Sequence, residues 1–441
     1  MRLAVVYLLI VSLLSAGCSF FHAGQWDEWQ TTEASFERID VQHFAQNRLI
    51  FEGTRDGDSS VYIYDMNQKT LARNQGAVDL TDHSDSPHYL GVYGKVSIQK
   101  SGGKSRLILA DQNGNEQELV HVSAEQSLGR SVSPNRESLL YWTGNGSEGD
   151  VYLYDLERDE HVFVMKFSGP LQGDDISWSG NSKYVMLKER HVYRVPDGEE
   201  VLEIESATQT CWSPVGDELL AIERDADGIE LPQETNKNYG HRIVKYDVVD
   251  KEKHQLFPVQ SEEVTISSPL ILDEIVWGEQ GRFFAFVTGR VNGEQVYYEQ
   301  VHVMDPQGGF HHVENEQNSR PSAIEDIAFS PNGDFLSYTA NGLLKVLSIP
   351  TQKSKVFDVY TQTQNDGNHY LIYNENEVWV LGNHEVRRLS SGLEEKSVYQ
   401  STDELLQLFV ANDGESLLVI ERESDQYELK LVSLEEDPEG N

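Results

Sequence analysis

The residues best suited to metal chemistry form two histidine groups. His83, Asp85 and His88 lie close together, and His311 is followed directly by His312. Imidazole and carboxylate groups bind zinc, but a zinc site gathers several of them, and the His-Glu-x-x-His motif is absent. Adjacent residues of a strand point to opposite faces, so His311 and His312 cannot both bind one metal from a regular strand. We therefore expect solvated loop histidines.

Two acidic turns have a weak likeness to calcium-binding loops. Asp56 and Asp58 flank Gly57, and the segment 224–228 reads Arg-Asp-Ala-Asp-Gly. An EF-hand loop needs ligands at positions 1, 3, 5 and 12 and glycine at position 6, and neither segment fits. Ordinary β-turns explain both segments better. Structural calcium held by carboxylates from several repeat units stays open as an alternative, because such a site needs no linear motif.

Nucleophilic chemistry has little support in the sequence. No Gly-x-Ser-x-Gly elbow occurs. Cys211 has no histidine near it in sequence, so we expect a small buried apolar residue on an inner strand rather than a nucleophile. Trp178, Trp212 and Trp277 occupy equivalent positions of a repeat, which favours packing between repeat units over a sugar-stacking platform. These observations predict a non-catalytic protein.

The elements that must position these residues are short strands in a recurring order. An apolar or aromatic residue precedes a tight turn rich in Ser, Pro, Asn and Gly, and a second apolar run follows. Such turns predict hairpins, because Pro presets φ and Gly or Asn tolerates positive φ. A third strand often ends at an aspartate, namely Asp65, Asp155, Asp247 or Asp305. The turn phrases lie at 132–135, 178–181, 211–216, 276–281, 328–333 and 409–414.

The phrases from Trp212 to Gly216 and from Phe329 to Gly333 resemble the Trp-Ser-Pro-Asp-Gly phrase of the TolB-like, or PD40, β-propeller family. Val215 and Asn332 stand at the family's Asp position. The resemblance implies an all-β fold, a β-propeller of four-stranded antiparallel blades over residues 39–435. It is specific for architecture and weak for activity, because such propellers host many roles.

Nine candidate blades can be delimited by these phrases and strands. The second and eighth lack a clear Ser-Pro-x-Gly turn and can be degenerate, so we favour eight blades, with seven or nine as alternatives. The candidate units lie at 39–80, 86–122, 128–168, 174–205, 208–260, 268–316, 322–358, 366–391 and 406–435.

The first residues have the layout of a secretory signal. Arg2 precedes an apolar core from Leu3 to Leu14, which is too short for a membrane-spanning helix. The stretch from Leu14 to Cys18 resembles the lipobox of bacterial lipoproteins, although Ser15 stands where Leu is usual. This resemblance implies cleavage before Cys18 and lipidation of its sulfur, with acyl chains such as palmitate as the membrane anchor. An ordinary signal cut near Ala16 is the alternative.

The expected organisation follows from these segments. We predict a signal peptide at 1–17, a lipidated tether at 18–38, the propeller at 39–435 and an acidic tail at 436–441. The chain contains 73 acidic and 35 basic residues, a formal net charge of -38. Such a field repels nucleic acid and anionic lipid surfaces, so we discount both as partners.

We therefore expect a monomeric lipoprotein on the extracytoplasmic face of the cell membrane that binds a protein or envelope component and needs no cofactor. The insertion 224–240 is the candidate contact loop, because propellers place recognition on long loops. A glycan- or peptide-processing enzyme with carboxylates at the central channel is the alternative, as is a ligand or calcium sensor. The candidate contact residues are Asp225, Asp227, Glu230, Asn236 and Tyr239.

Overall fold

The structure is a computed structural model of the chain. It describes residues 26–45, 47–74, 88–90, 93–111, 114–123, 125–195, 197–224, 241–257, 270–292, 295–315, 324–357, 371–374, 377–411, 414–424 and 426–434. The chain divides into two compact units. One comprises Met1–Thr81, Val359–Ser390 and Glu394–Asn441, and the other comprises Asp82–Asp358 and Ser391–Leu393.

The larger unit contains six antiparallel four-stranded sheets in its described residues, which we number 2 to 7 in chain order. Sheet 2 consists of β7 (His88–Tyr89), β8 (Lys95–Ser101), β9 (Lys104–Ala110) and β10 (Glu116–Ser123). Sheet 3 consists of β11 (Ser127–Val132), β12 (Ser138–Gly144), β13 (Glu148–Asp155) and β14 (Glu160–Ser168). Sheet 4 follows a short 3-10 helix (Gly173–Asp175) and consists of β15 (Ile176–Trp178), β16 (Tyr184–Leu187), β17 (His191–Arg194) and β18 (Glu200–Glu203).

The remaining sheets of the larger unit have the same strand order. Sheet 5 consists of β19 (Ala207–Trp212), β20 (Glu218–Arg224), β21 (His241–Asp247) and β22 (Glu252–Phe257). Sheet 6 consists of β23 (Leu270–Trp277), β24 (Phe284–Asn292), β25 (Gln295–Met304) and β26 (Phe310–Asn315). Sheet 7 consists of β27 (Ile324–Phe329), β28 (Phe335–Ala340), β29 (Leu343–Ser348) and β30 (Lys353–Phe357).

The smaller unit contains sheets 1, 8 and 9. Sheet 1 consists of β3 (Arg38–Ala45), β4 (Arg48–Arg55), β5 (Asp58–Asp65), β6 (Thr70–Asn74) and a fifth strand, β1 (Trp26–Gln30), paired with β6. Sheet 8 consists of β31 (Leu371–Asn374), β32 (Glu377–Leu381), β33 (Glu385–Leu389) and β34 (Glu395–Gln400). Sheet 9 consists of β35 (Glu404–Val410), β36 (Ser416–Glu423), β37 (Gln426–Ser433) and the N-terminal β2 (Glu33–Phe36).

These sheets confirm the predicted all-β propeller fold of four-stranded antiparallel blades. The nine sheets in the described residues correspond to the nine units that the repeats delimit, one more than the favoured count of eight. Strands β1 and β2 lie within 18–38, the stretch that we predicted as a tether, and each extends the outer edge of a sheet. The fourth strand of sheet 9 therefore comes from the opposite end of the sequence. No helix in the described residues is long and apolar enough to cross a membrane.

The apolar runs without alternation are explained by burial on both faces of a sheet. In β20, Leu219 packs in a core with Tyr184 of sheet 4, whereas Leu220 packs in a core with Phe284 of sheet 6. Consecutive residues of a strand point to opposite faces, so a strand between two neighbouring sheets must be apolar throughout. The second strands β12, β16, β20, β24 and β36 each contribute residues to two such cores.

The repeated Ser and Asp residues stabilise turns. Ser330 is buried, and its Oγ donates to Asn332 Oδ1 at 2.7 Å and accepts from the Phe335 N–H at 2.9 Å. Asp247 Oδ1 accepts from the N–H groups of Val249 and Asp250, each at 3.0 Å. Such local bonds satisfy backbone donors that a tight turn leaves unpaired. The conspicuous polar phrases of the sequence are therefore structural.

Candidate functional site: acidic bulges of sheets 6 and 7

The first strands of sheets 6 and 7 each carry a β-bulge with two acidic residues. The strand register shifts between Asp273 and Val276 in β23 and between Glu325 and Ala328 in β27. Glu274 and its counterpart Asp326 have positive φ values of 44° and 58°. A bulge reorients the side chains of the extra residue and its neighbours relative to a regular strand. Asp273-Glu274 and Glu325-Asp326 therefore form the same local structure in two neighbouring sheets.

Four carboxyl groups come together at these bulges. Asp273, Glu325 and Asp326 are exposed, and Glu274 is partly buried. The charged neighbours that act most strongly on Glu274 are the other three carboxylates. Within the described part of the chain, no Lys, Arg or His lies within 4.0 Å of any of the four carboxylates as an ion-pair partner. The bulges thus present a concentrated negative charge, which we call the acidic site.

Tyr298 of β25 positions one of these carboxylates. Its hydroxyl donates to Asp273 Oδ2 at 2.5 Å, while Asp273 Oδ1 accepts from the Glu274 N–H at 3.0 Å. Burial raises the pKa of Tyr298 above its ordinary value, and its hydrogen bond to Asp273 raises this pKa further. The tyrosine therefore stays neutral and acts as a fixed hydrogen-bond donor.

Glu274 is the titratable group of the acidic site. Burial and then the charges of Asp273, Asp326 and Glu325 raise its pKa to about 7, while a hydrogen bond from the Ile327 N–H opposes this rise. Burial and neighbouring negative charge both disfavour the ionised carboxylate. Glu274 consequently exchanges its proton near neutral pH.

Sheet 5 supports the bulge of β23 from the other side. The Ile275 N–H donates to Gln209 Oε1 at 3.0 Å, and the Leu272 N–H donates to His241 Nδ1 at 3.0 Å. Burial lowers the pKa of His241, which keeps Nδ1 available as an acceptor at neutral pH. Polar side chains of sheet 5 therefore fix the backbone on both sides of Asp273 and Glu274.

A different carboxylate, Glu223 of β20, is neutralised internally. It is buried, its two oxygens each lie 2.9 Å from Lys253 Nζ, and Arg242 Nη2 lies 3.0 Å from Oε2. The Tyr246 hydroxyl also donates to it. Burial raises the pKa of Glu223, but the hydrogen bonds from Tyr246 and Lys253 and the charge of Lys253 outweigh it, and the net pKa is lowered. This carboxylate is a structural group with no capacity left for a ligand.

The smaller unit repeats that internal arrangement. Its Ile-Glu-Arg sequence at 420–422 matches the one at 222–224. Glu421 is fully buried, accepts from Lys430 Nζ at 2.8 Å and accepts from the Tyr399 hydroxyl at 2.5 Å. Buried carboxylates at the end of a second strand are therefore paired in both units.

His311 and His312 were predicted to be solvated loop residues, but both lie on strand β26, where His311 is exposed and His312 is partly buried, and they do not share a ligand site. His311 Nε2 lies 3.0 Å from Asp305 Oδ2, and His312 Nε2 lies 2.9 Å from Glu314 Oε2. Among the described residues, no group of three or more His, Cys, Asp or Glu side chains has the geometry to hold a metal ion. His83 and Asp85 lie outside the described residues. Asp56 and Gly57 form the tight turn of the β4–β5 hairpin, as predicted.

The three repeated tryptophans pack between sheets, which confirms their predicted role. The indole N–H of Trp178 donates to Ser131 Oγ at 2.9 Å, and that of Trp212 donates to Ser177 Oγ at 3.2 Å. The Trp277 indole N–H donates to the carbonyl oxygen of Cys211 at 3.1 Å. Each indole thus bonds to the first strand of the preceding sheet. Cys211 itself is partly buried on β19, where burial raises the pKa of its thiol to about 11.

Residues 225–240 of the predicted contact loop and the predicted lipidation site lie outside the described residues. This applies to Cys18 and to all five predicted contact residues, Asp225, Asp227, Glu230, Asn236 and Tyr239. The acidic site was not predicted, although a signal exists. Asp-Glu-Ile-Val-Trp at 273–277 and Glu-Asp-Ile-Ala-Phe at 325–329 share an acidic pair, an isoleucine and an aromatic residue in the same order.

Comparisons with known proteins agree with the resemblance seen in the repeats. No family model matches the chain. The Tol-Pal system protein TolB of Legionella pneumophila, in the Corby and Paris strains, is 29% identical over 76 residues, or 17% of this chain. That match spans 18% of the length of each relative. The chain is therefore TolB-like in a limited segment.

Solved structures with a similar arrangement have little sequence in common with the chain. A eukaryotic initiation factor is 12% identical, with a TM-score of 0.48, over 86% of this chain and 91% of that one. The dipeptidyl peptidase 4 of Porphyromonas gingivalis is 11% identical, with a TM-score of 0.44, over 78% of this chain and 58% of that one.

Proposed function

We propose that the chain is a non-catalytic scaffold of the cell envelope that binds a protein partner through the acidic site. The observation that carries this proposal is the group of four carboxyls on neighbouring first strands, three of them exposed. Carboxylates elsewhere in the described chain, such as Glu223 and Glu421, are neutralised by lysine. The carboxylates of the acidic site have no such lysine among the described residues, so a bound protein can supply the positive charge.

A cationic segment is the chemistry that fits this site. Lysine and arginine side chains gain Coulomb energy beside clustered carboxylates, and the formal net charge of -38 accelerates the approach of a basic partner. Tyr298 and the hydrogen bonds to the β23 bulge hold the acidic residues in place before binding. Such preorganisation lowers the entropy cost of association.

The same proposal includes anchorage by lipid on Cys18 at the extracytoplasmic face of the membrane. It is supported by the lipobox-like sequence and by the similarity of a segment to TolB. Residues 19–25 separate Cys18 from β1, and seven extended residues span at most ~25 Å. The outer edge of sheet 1, which β1 extends, would then be held close to the membrane surface.

Binding can be tested with the full chain and its natural membranes. Detergent-solubilised membranes are passed over immobilised wild-type protein and over a variant with Asp273→Asn, Glu274→Gln, Glu325→Gln and Asp326→Asn. We expect a saturable protein partner on the wild type that is lost from the variant and is released by salt. Equal retention by both proteins would refute the acidic site as the binding surface. Absence of any saturable partner would refute the scaffold role.

A second candidate function is acid–base catalysis at the same residues. It is favoured by one feature, the raised pKa of Glu274, about 7, beside the carboxylate of Asp273, because paired carboxyls with different proton affinities cleave glycosidic bonds in many enzymes. A screen of envelope glycans and peptides with wild type and Glu274→Gln distinguishes the two functions. Turnover that depends on Glu274 would show that the protein is an enzyme and would refute the non-catalytic scaffold role.

A further inference from the structure

We propose that His302 of β25 is a pH switch for the outer edge of sheet 6: the neutral imidazole holds β26 against the sheet, and uptake of a proton loosens that strand. The switch uses none of the residues of the acidic site and needs no partner protein, so it goes beyond the proposed binding role. It makes the outer edge of one blade the part of the larger unit that opens first on acidification.

The imidazole of His302 is enclosed by aromatic rings. The residue is buried, with 5% of its surface exposed. Its ring is stacked on that of Phe286 in β24, with 4.8 Å between the ring centroids and 7° between the planes. The ring centroids of Phe257 in β22 and Phe310 in β26 lie 5.5 Å and 6.0 Å away. Three strands from sheets 5 and 6 thus shield this histidine from water.

The hydrogen bonds of His302 suit a neutral ring and not a charged one. Its Nε2 lies 2.9 Å from Thr288 Oγ1, whereas its Nδ1 is buried and has no hydrogen-bond partner among the described residues. A neutral imidazole has one N–H and one acceptor nitrogen, and the imidazolium has an N–H at both positions. Protonation therefore creates a buried positive charge and leaves the Nδ1–H without an acceptor, which is costly.

The strands packed against His302 offer no charge to balance a proton. Its contacts from β22, β24 and β26 are the uncharged side chains already named. The charged side chains of the two outer strands are paired with other groups, namely Lys253 with Glu223, His254 with Glu252, His311 with Asp305 and His312 with Glu314. In the described part of these strands, a protonated His302 therefore has no carboxylate partner.

Burial sets the direction of the pH dependence. It lowers the pKa of His302 from 6.5 to about 4. Stacking on Phe286 attracts a cation, but this attraction is weaker than the cost of removing a charge from water. Because the folded pKa lies below the unfolded value, the unfolded chain binds the proton more tightly. The stability that depends on neutral His302 is complete above pH ~6.5 and declines as the pH falls to about 4.

The outer strand is the element that can yield to the charge. In the described sheet, β26 pairs with β25 alone, and Phe310 is 46% exposed. By contrast, β24, which carries Phe286 and Thr288, pairs with a strand on each side. Moving β26 outward brings water to His302 and breaks one ladder of hydrogen bonds, whereas moving β24 breaks two. Local opening follows the less costly route.

The experiment compares the full-length wild type with His302→Gln between pH 5 and pH 8 at constant ionic strength. Chemical denaturation gives the folding equilibrium constant, and hydrogen–deuterium exchange, corrected for the intrinsic effect of pH, gives the protection of the β26 amides. Groups such as Glu274 titrate in both proteins, so the difference between them isolates His302. From pH 8 to pH 5 we expect the wild type to lose about 30-fold in this constant relative to the variant. We expect protection of β26 to fall in the wild type alone.

Two further variants complete the test. His254→Gln changes an exposed histidine on β22 and should keep the pH dependence of the wild type. Phe310→Ala removes a half-exposed ring that covers His302, so the pKa of His302 should rise towards 6.5 and the acid-dependent loss should shrink; this variant also serves if His302→Gln fails to fold. The same pH dependence in wild type, His302→Gln and Phe310→Ala would overturn the proposal. An acid-dependent loss of protection spread evenly over all four strands of sheet 6 would overturn it as well.

Discussion

Glu223 and Glu274 lie in neighbouring sheets of the larger unit, yet their proton affinities change in opposite directions. Both are withdrawn from solvent, which raises the pKa of a carboxyl. Glu223 is contacted by Lys253, Arg242 and Tyr246, and its pKa is lowered. Glu274 is surrounded by three carboxylates, and its pKa rises to about 7. Burial raises the pKa of both carboxyls, and the neighbouring charges decide whether the net pKa ends above or below its ordinary value.

The two sites also differ in what they leave for a partner. The acceptor oxygens of Glu223 are occupied by groups of the same sheet. The acidic site instead leaves three exposed carboxylates without a cation among the described residues. A structural carboxylate is neutralised by cations of the same chain. A carboxylate that has no cation nearby in the fold can instead pair with a positive charge on a binding partner. This difference separates a structural role from a binding role more clearly than the sequence does, since both sites are acidic residues near strand ends.

The largest expected effect is the loss of the structural carboxylate. Glu223→Ala removes the carboxylate that accepts from Lys253, Arg242 and the Tyr246 hydroxyl. We expect the free energy of unfolding to fall by about 3 kcal/mol, as for other broken buried pairs. Chemical denaturation measures it. Glu218→Ala is the matched control on the same strand, because the Glu218–Lys245 pair is partly exposed and should contribute less than about 1 kcal/mol. Equal losses in the two variants would contradict the comparison.

The pH dependence of Glu223 should oppose that of Glu274. Because the folded pKa of Glu223 lies below its unfolded value of about 4.5, its stabilising effect is present above that value and is lost as the pH falls through the folded pKa. Wild type should therefore lose its advantage over Glu223→Gln upon acidification below pH ~4.5. Parallel melting curves of both proteins from pH 3 to pH 7 provide the test. A constant difference across that range would contradict the assignment.

The corresponding site of the smaller unit should show a more moderate effect. Lys430→Met leaves the buried Glu421 with the Tyr399 hydroxyl but without its cation. We expect a loss of about 2 kcal/mol in the free energy of unfolding, since an unpaired buried charge is costly. Lys396→Met on β34, a lysine on an exposed position of the same unit, is the control. A loss no greater than that of the control would show that Glu421 does not need its cation.

The smallest expected effect concerns the positioning of Asp273. Tyr298→Phe removes one hydrogen bond to this carboxylate and should cost about 1 kcal/mol of stability. Because the Asp273 side chain then keeps only its bond from the Glu274 N–H, it is held less firmly, and binding of a cationic partner should weaken by a few-fold without loss of its salt dependence. Titration calorimetry at several salt concentrations measures the affinity and its salt dependence. Unchanged affinity would show that Tyr298 has no positioning role.

Much of the architecture could be predicted because its signals are local. Turn phrases such as Ser330 to Gly333 and the aspartate at the end of β21 stabilise single hairpins through bonds within a few residues. The repeats therefore delimited all nine units. The contribution of β2 to sheet 9 was missed, because its pairing with β37 joins residues nearly 400 positions apart. Strand exchange between chain ends leaves no local trace in sequence.

The acidic site was missed for a related reason. Neither Asp273-Glu274 nor Glu325-Asp326 is remarkable as a pair of letters in a chain with 73 acidic residues. What distinguishes them is a bulge, positive φ at the second residue, and the proximity of two sheets. The lysines that neutralise Glu223 and Glu421 are likewise distant in sequence. Charge pairing is a property of the folded chain, so composition alone could not separate the two kinds of carboxylate.

The proposed binding of a cationic segment by the acidic site is tested most directly by an affinity measurement with matched charge variants. A lysine- and arginine-rich peptide is titrated against wild type, the acidic-site variant described above, and a control variant. The control carries Glu116→Gln, Glu125→Gln, Asp174→Asn and Glu279→Gln, which change four exposed acidic residues and give the same net charge. We predict that only the acidic-site variant loses at least tenfold in affinity. Equal losses in both variants would show a nonspecific charge effect and contradict the account.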